Sequence, residues 1–231
     1  MVKVKKLAHV LTFVVAILVA GVVLSACAAQ GGAPMSEAKA TSAGESIEEP
    51  ASDVSDSDGV DPSAPVDHKV LIAYFSYTGH LDSMAHWIQD ETGGDLVRVT
   101  ARDAYSDVYD ETVDRAKEEQ DADARPAIEV DLTQEELDAY DTVFFGFPVW
   151  WYDLPMPMWT FLEGYDFTGK TIYPFISHEG TSNGGSAFEN MQKLAPAADI
   201  RSDTYLSIRG DEVDSSEETV RTWVQELGFS R

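Results

Sequence analysis

Two hydroxyls, a glycine and a histidine stand close together in Ser76-Tyr77-Thr78-Gly79-His80, directly after the apolar run Val70-Leu71-Ile72-Ala73-Tyr74-Phe75. That grouping can hold an anion of phosphate size. Hydroxyls and backbone N–H groups at the start of a helix donate hydrogen bonds, and the helix dipole favours negative charge there. A second cluster, Trp150-Trp151-Tyr152, places three rings in succession. At least one must face away from the core, where it suits stacking on a flat aromatic ligand. The third cluster, Ser177-His178-Glu179-Gly180-Thr181-Ser182-Asn183-Gly184-Gly185, combines glycines for close backbone approach with His178, a candidate proton donor. Each cluster also has a plainer use. Ser-x-Thr-Gly caps helices and makes turns, loop aromatics pack locally or at dimer interfaces, and a lone histidine is commonly structural.

These clusters need elements to position them. After the opening strand and loop, Leu81, Met84, Ala85 and Ile88 fall at i, i+3, i+4, i+7, which predicts a helix with one buried face, stopped by Gly93-Gly94. Leu96–Val99 reads as a second strand and the charged stretch 108–120 as a surface helix. A short helix over 134–139 leads into Thr142-Val143-Phe144-Phe145-Gly146, whose unbroken apolarity marks a strand buried on both faces. A loop closed by Pro155 and Pro157 and a helix over 158–164 follow. The remaining elements are a strand over 171–176, a helix over 186–194, a strand over 204–208 and a helix over 216–227 with Val220, Trp223, Val224 and Leu227 on its apolar side. Five strands alternating with helices predict an α/β three-layer sandwich around a five-stranded parallel sheet. Ligands bind such sheets at the carboxyl ends of the strands, where all three clusters fall.

The first 66 residues read as delivery rather than fold. Lys3, Lys5 and Lys6 precede the uncharged apolar run 11–24, the layout of a secretory signal. The run ends in Leu24-Ser25-Ala26-Cys27, which resembles the lipobox of bacterial lipoproteins. The expectation is a signal peptide over 1–26, lipidation of Cys27, and a cell-membrane anchor holding the chain on the extracytoplasmic face. An uncleaved transmembrane anchor is the alternative. Cys27 is the only cysteine of the 231 residues, so lipidation leaves no thiol for catalysis or a disulfide. Residues 27–66, rich in Ala, Gly, Ser, Pro, Asp and Glu, form an acidic linker that cannot repay the entropy of ordering. As a flexible coil it spans about 35 Å. The folded domain is expected over 67–231.

The net charge is −25, and from Asp67 onward 12 Lys+Arg face 33 Asp+Glu, a net −21. No basic stripe exists, so the surface repels nucleic acid and anionic lipid and favours cationic partners. No clustered His/Cys set suggests a metal, and no Rossmann glycine fingerprint appears.

Strand plus Ser76-Tyr77-Thr78-Gly79, then Gly146-Phe147-Pro148-Val149-Trp150-Trp151, then Ser177-His178-Glu179-Gly180 with Gly184-Gly185-Ser186, together resemble the flavodoxin-like proteins that bind FMN. The resemblance spans roughly 69–229 and implies a flavodoxin-like fold. By matching position, Ser76, Thr78, Gly79, His80 and Leu81 would surround the FMN phosphate. Pro148, Val149, Trp150 and Trp151 would flank the isoalloxazine, with Ser177, His178, Glu179 and Gly180 along its other side. One departure stands out: the family loop usually continues Asn-Thr after its glycine, and here His80-Leu81 follows. A lost hydroxyl removes a phosphate hydrogen bond, typically worth about 1.5–3 kcal/mol to a charged acceptor.

The resemblance implies electron transfer or oxidoreduction between a redox donor and a small acceptor such as a quinone, with enzyme and carrier both open. Redox chemistry would belong to the flavin and orientation to the protein. Leu81 keeps a second expectation open, a non-redox binding or scaffold lipoprotein that has lost FMN.

Overall fold

The computed structural model describes residues 69–229, so the expected signal (1–26), linker (27–66) and lipidation site (Cys27) lie outside the described residues. No helix among the described residues is long and apolar enough to cross a membrane.

The chain runs through β1 (Val70–Tyr74), α1 (His80–Thr92), β2 (Asp95–Arg98), β3 (Thr100–Ala101), α2 (Tyr109–Asp121), β4 (Ile128–Glu129) and α3 (Gln134–Asp138). It continues through β5 (Thr142–Pro148), α4 (Met156–Gly164), β6 (Thr171–His178), α5 (Ala187–Leu194), β7 (Asp199–Ile200), β8 (Leu206–Arg209), a 3-10 helix (Gly210–Ser215) and α6 (Glu217–Glu226). The strands pair in parallel in the order β2-β1-β5-β6-β7. Alternation along β1 divides the core. Leu71, Ala73 and Phe75 pack with Phe145, Phe147, Phe161 and Met191 on one face, while Val70, Ile72 and Tyr74 pack with α1 and α6 on the other. On α1 the predicted face of Leu81, Met84, Ala85 and Ile88 is buried, and each large side chain in it contributes about 1.5–3 kcal/mol. Gly93, left-handed at φ 71°, ends the helix by donating its N–H to Gln89 O at 2.7 Å.

The sheet differs from the sequence expectation at its fifth position, which two short strands share. β7 pairs with Thr171–Ile172 at the start of β6, and β8 with Phe175–His178 at its end. Pro174 explains the break. Thr171 N–H points toward β5, donating to Asp141 O at 2.9 Å, so alternation aims the residue-174 nitrogen at the fifth position, where proline has no hydrogen to give. β7 was not expected, and the predicted strand 204–208 is shifted to Leu206–Arg209.

Two further differences bear on the site. β5 and β6 extend to Pro148 and His178, so residues expected in loops sit on strand ends. A small antiparallel pair, Thr100–Ala101 with Ile128–Glu129, closes the base of the excursion that carries α2. Helix α4 starts at Met156, with Pro157 in its first turn, where a missing N–H is harmless.

Candidate cofactor cleft

The loop after β1 is shaped by Gly79. It caps α1 at φ 93°, a conformation that disfavours other residues, and a Cβ there would meet only open space. Its N–H donates to Ser76 Oγ at 3.1 Å. The helical pattern begins with Ser83 N–H donating to Gly79 O, so the N–H groups of His80, Leu81 and Asp82 have no partner within the helix. They form a ready anion site at the positive end of a 13-residue helix. A cation lies behind it: Arg98, at the end of β2, donates to Ser76 O at 3.1 Å and sits 3.4 Å from Asp82, which also accepts the Tyr74 hydroxyl at 2.7 Å. Burial, chiefly, pushes the Tyr74 hydroxyl well above its usual range. The loop itself has no Lys or Arg, and the neighbouring Arg98 is paired with Asp82.

After β5 the backbone turns sharply. Trp150 and Asp153 exchange N–H···O bonds of 2.9 Å in both directions, enclosing Trp151 at φ 48° and Tyr152 at φ 65°. Two positive φ values in a two-residue hairpin loop are the type I′ pattern, which favours Asn-Gly. Side chains with a Cβ cost about 1–2 kcal/mol each in this conformation. Several contacts hold it. Tyr152 O accepts Ser186 N–H at 2.8 Å, and Asp153, 6% exposed, accepts from Leu154 N–H (2.8 Å), Ser186 Oγ (3.0 Å) and Asn190 Nδ2 (2.6 Å). Burial pushes the Asp153 carboxyl up, opposed by these bonds and by Lys193. Gly185, itself left-handed, admits the turn, because a Cβ there would collide with the Tyr152 carbonyl.

The rings now have fixed places. Trp150 is half-buried, edge-on to Phe75, Tyr77 and Tyr105 with centroids 5.0–5.8 Å away. Trp151 Nε1 donates to Val113 O on α2 at 3.1 Å, and Gln120 Nε2 reaches Trp151 O at 3.3 Å. After β6, Gly180 N–H donates to His178 Nδ1 at 3.0 Å, so neutral His178 carries its proton on Nε2. Burial, foremost, lowers its pKa. His80 and Glu179 approach one another across Gly210, where a Cβ would press on both.

These loops converge on one cleft of about 350 Å³, within the size range of small-molecule sites. Of the residues singled out in the sequence, Thr78, His80, Pro148, Val149, Trp150, Trp151, Ser177, His178 and Glu179 line it. Ser76, Gly79, Leu81 and Gly180 do not. Ser76 is buried beneath the loop, Gly79 and Gly180 shape the backbone, and the Leu81 side chain, 1% exposed, belongs to the core under α1. Leu81 can therefore offer only its N–H. Tyr77, Tyr152 and Thr181, members of the three sequence clusters, line it too, but sequence reasoning missed an entire wall: Tyr109, Thr112, Val113 and Ala116 of α2. Tyr109, Val113 and Ala116 fall at i, i+4, i+7, a signal that marks one face of α2 without saying that it borders a ligand site. Among the described residues, no group of three or more His, Cys, Asp and Glu is placed to hold a metal.

The cleft fits FMN in kind. It offers unpartnered N–H groups and hydroxyls for a phosphate at one end and aromatic and apolar walls for a flat ring at the other. Similar solved structures include candidate flavoproteins from Bacteroides uniformis and Bacteroides eggerthii. Both are 29% identical, with TM-scores of 0.58 and 0.57, covering 68% and 69% of this chain and 98% of each of theirs. A flavoprotein from Lactobacillus acidophilus, solved in complex with FMN, is 23% identical over 64% of this chain and 97% of its own, with a TM-score of 0.51, and shares the fold. No curated protein matches the chain. A family model described as flavodoxin matches residues 69–227, and the chain therefore belongs to the flavodoxin family, whose cofactor is FMN.

Proposed function

We propose that this protein is an FMN-dependent electron-transfer protein, held on the extracytoplasmic face of a membrane through Cys27, that passes electrons from a redox donor to a small acceptor such as a quinone. The observation that carries the redox reading is the convergence of three strand-end loops on one cleft with an anion-binding end and an aromatic end. The Lactobacillus relative solved with FMN supports the same cofactor. The membrane and export readings rest on the lipobox-like Leu24-Ser25-Ala26-Cys27 after an apolar run.

Thr78 Oγ1, with the N–H groups of His80, Leu81 and Asp82, would bind the phosphate. Ser76 would set the loop through its bond to Gly79, and Arg98 would fix it from behind. Pro148, Val149, Trp150 and Trp151 would hold one side of the ring, and Ser177, His178, Glu179 and Gly180 the other. The bound flavin supplies the electron chemistry, accepting and giving one or two electrons. The chain orients it, excludes water with the Trp150 aromatic packing, and offers a proton at His178 Nε2.

The test is direct. The full chain, expressed and purified, should be yellow and bleach with dithionite, and fatty-acid label should appear on wild type and vanish in Cys27→Ser. A colourless preparation that takes up no added FMN would leave the non-redox scaffold as the reading. Steady-state turnover of a quinone with a nicotinamide donor would make it an enzyme rather than a carrier.

A further inference from the structure

Trp150 lines the cofactor cleft and meets Tyr105 edge-on, with ring centroids 5.0 Å apart and planes at 85°. Tyr105 stands half-buried in the connection between β3 and α2, and its hydroxyl donates to Glu119 Oε2 at 2.5 Å. That length belongs to a charge-assisted bond between a hydroxyl and a carboxylate. Arg115 holds the other carboxylate oxygen: its Nε donates to Glu119 Oε1 at 2.8 Å, and its guanidinium lies 4.1 Å over the Tyr105 ring. Glu119 and Arg115 also line a second, open cavity with Asp103 and Arg125. An indole at the cleft, a phenol behind it and a carboxylate beyond therefore form one connected series between the two cavities.

The combination is particular to Tyr105. Tyr74 and Tyr140 also donate to carboxylates, Asp82 and Asp95, at 2.7 Å each, but Tyr74 packs on the opposite face of the sheet and Tyr140 sits before the amino end of β5. Tyr77 does touch Trp150, with centroids 5.8 Å apart, yet its hydroxyl donates to the Ser106 carbonyl at 2.7 Å. A backbone carbonyl accepts a hydrogen bond without taking the proton, whereas a carboxylate can do both. Burial, foremost, pushes the Tyr105 hydroxyl well above its usual range, so the resting phenol keeps its proton. A phenol stripped of an electron becomes a strong acid, and the bond along which its proton would leave is already in place.

We infer that Trp150, Tyr105 and Glu119 form a proton-coupled route that carries oxidising equivalents out of the cofactor cleft. The oxidant is a photoexcited flavin ring, so the inference rests on the FMN reading for what starts the route and on this chain alone for the route itself. The Trp150 indole gives one electron to the excited ring, which gains one. Tyr105 then returns an electron to the indole radical cation, and its O–H proton passes to Glu119 Oε2. The products are a restored indole, a neutral tyrosyl radical and a neutral carboxylic acid. One electron and one proton move between the side chains, and no charge is left on a buried ring, where it would be costly.

Transient absorption after a blue-light flash on the FMN-loaded full chain tests this without turnover. The indole radical should appear first and decay as the tyrosyl radical rises. In Tyr105→Phe the tyrosyl signal should be lost and the indole radical should persist. Glu119→Gln keeps a hydrogen-bond acceptor but removes the base, so tyrosyl formation should slow about tenfold or more. The wild-type rise should also slow in heavy water, because the transferred proton is exchangeable, a measurement that needs no variant. An undiminished tyrosyl signal in Tyr105→Phe, or a rise indifferent to both Glu119→Gln and heavy water, overturns the inference while leaving FMN in place. Pulse radiolysis with the azide radical, which oxidises indoles directly, repeats the comparison of wild type and Tyr105→Phe without flavin. A chain that takes up no FMN yet passes oxidation from indole to Tyr105 in that experiment overturns the FMN reading and keeps the route; absence of both overturns both.

Discussion

The Asp153 carboxylate meets the Asn190 amide at 2.6 Å, joining the end of the strained aromatic turn to the middle of α5. The same carboxylate accepts Ser186 Oγ and Leu154 N–H, so one buried group ties the loop after β5 to the loop after β6. Asp153→Asn places an amide against those donors and should cost about 2 kcal/mol or more of stability, read by urea unfolding. The pH dependence has a defined sign. Burial raises the folded pKa above the ordinary 3.8, so the folded state holds the proton more tightly than the unfolded chain. The stability from this group is full below 3.8 and is lost as pH rises through the folded pKa. Wild type should gain on the Asn variant as pH falls from neutral toward 3.8. A constant difference across that range would show that the carboxyl is not shifted.

Tyr152 tests the strain from the other direction. At φ 65° and 67% exposed, it gives up little packing when replaced. Relief of a left-handed side chain is worth about 1–2 kcal/mol, against about 0.5–1 kcal/mol lost to the greater freedom of glycine in the unfolded chain. Tyr152→Gly should therefore raise stability slightly, by up to about 1 kcal/mol. A destabilised variant in urea titration would mean that the tyrosine ring contributes more than its exposure suggests.

Leu81 stands where the family usually carries threonine, and its burial changes the meaning of that departure. The side chain packs with Val70, Ile72 and Val224 rather than toward the cleft. Leu81→Thr should lower stability by about 1–3 kcal/mol by burying a hydroxyl and removing packing. It should not tighten FMN, because the hydroxyl enters the core. Tighter binding by fluorescence titration would show that the helix start rearranges to aim it at phosphate.

Parts of this site could be read from residue types, and the illegible parts share a cause. The unbroken apolar stretch Val143-Phe144-Phe145, short and bounded by Gly146 and Pro148, reads as a strand buried on both faces, and the hydroxyl–glycine loop after β1 follows from its neighbours in sequence. The left-handed Trp151-Tyr152 pair is different: neither residue prefers that backbone, and it is imposed by Asp153, Gly185, Ser186 and Asn190, more than thirty residues away for the last three. The α2 wall is set by β3 and β4, two-residue strands too short to show any period. Pro174 did carry a local signal, a missing donor in a central strand, and that signal predicts the split fifth position.

Arg98 gives a test of the phosphate end that spares the cleft lining. Its guanidinium donates to Ser76 O and is half-exposed beside Asp82, so it holds the loop and contributes positive charge from behind. Arg98→Gln should weaken FMN about three- to tenfold, as expected for one charged hydrogen bond partly open to solvent. Riboflavin, which lacks the phosphate, should lose much less. Equal losses for both ligands would place the effect on the ring end or on folding.

The charge of the domain predicts the direction of its redox potential. From Asp67 onward the net charge is −21, a count that includes Glu179 in the cleft lining and Asp110 and Asp114 on α2. Adding electrons to a bound flavin adds negative charge to this field, which the protein opposes at short range and salt screens at long range. The midpoint potential of the bound cofactor should lie below that of free FMN, and it should rise with ionic strength. Asp110→Asn with Asp114→Asn should raise it at low salt and matter less at high salt, because the Debye length shrinks to about 3 Å at 1 M. Spectroelectrochemical titration of wild type and variant at two salt concentrations reads both effects. A potential at or above that of free FMN, or one indifferent to salt, would mean that oriented N–H groups and His178 outweigh the acidic surface.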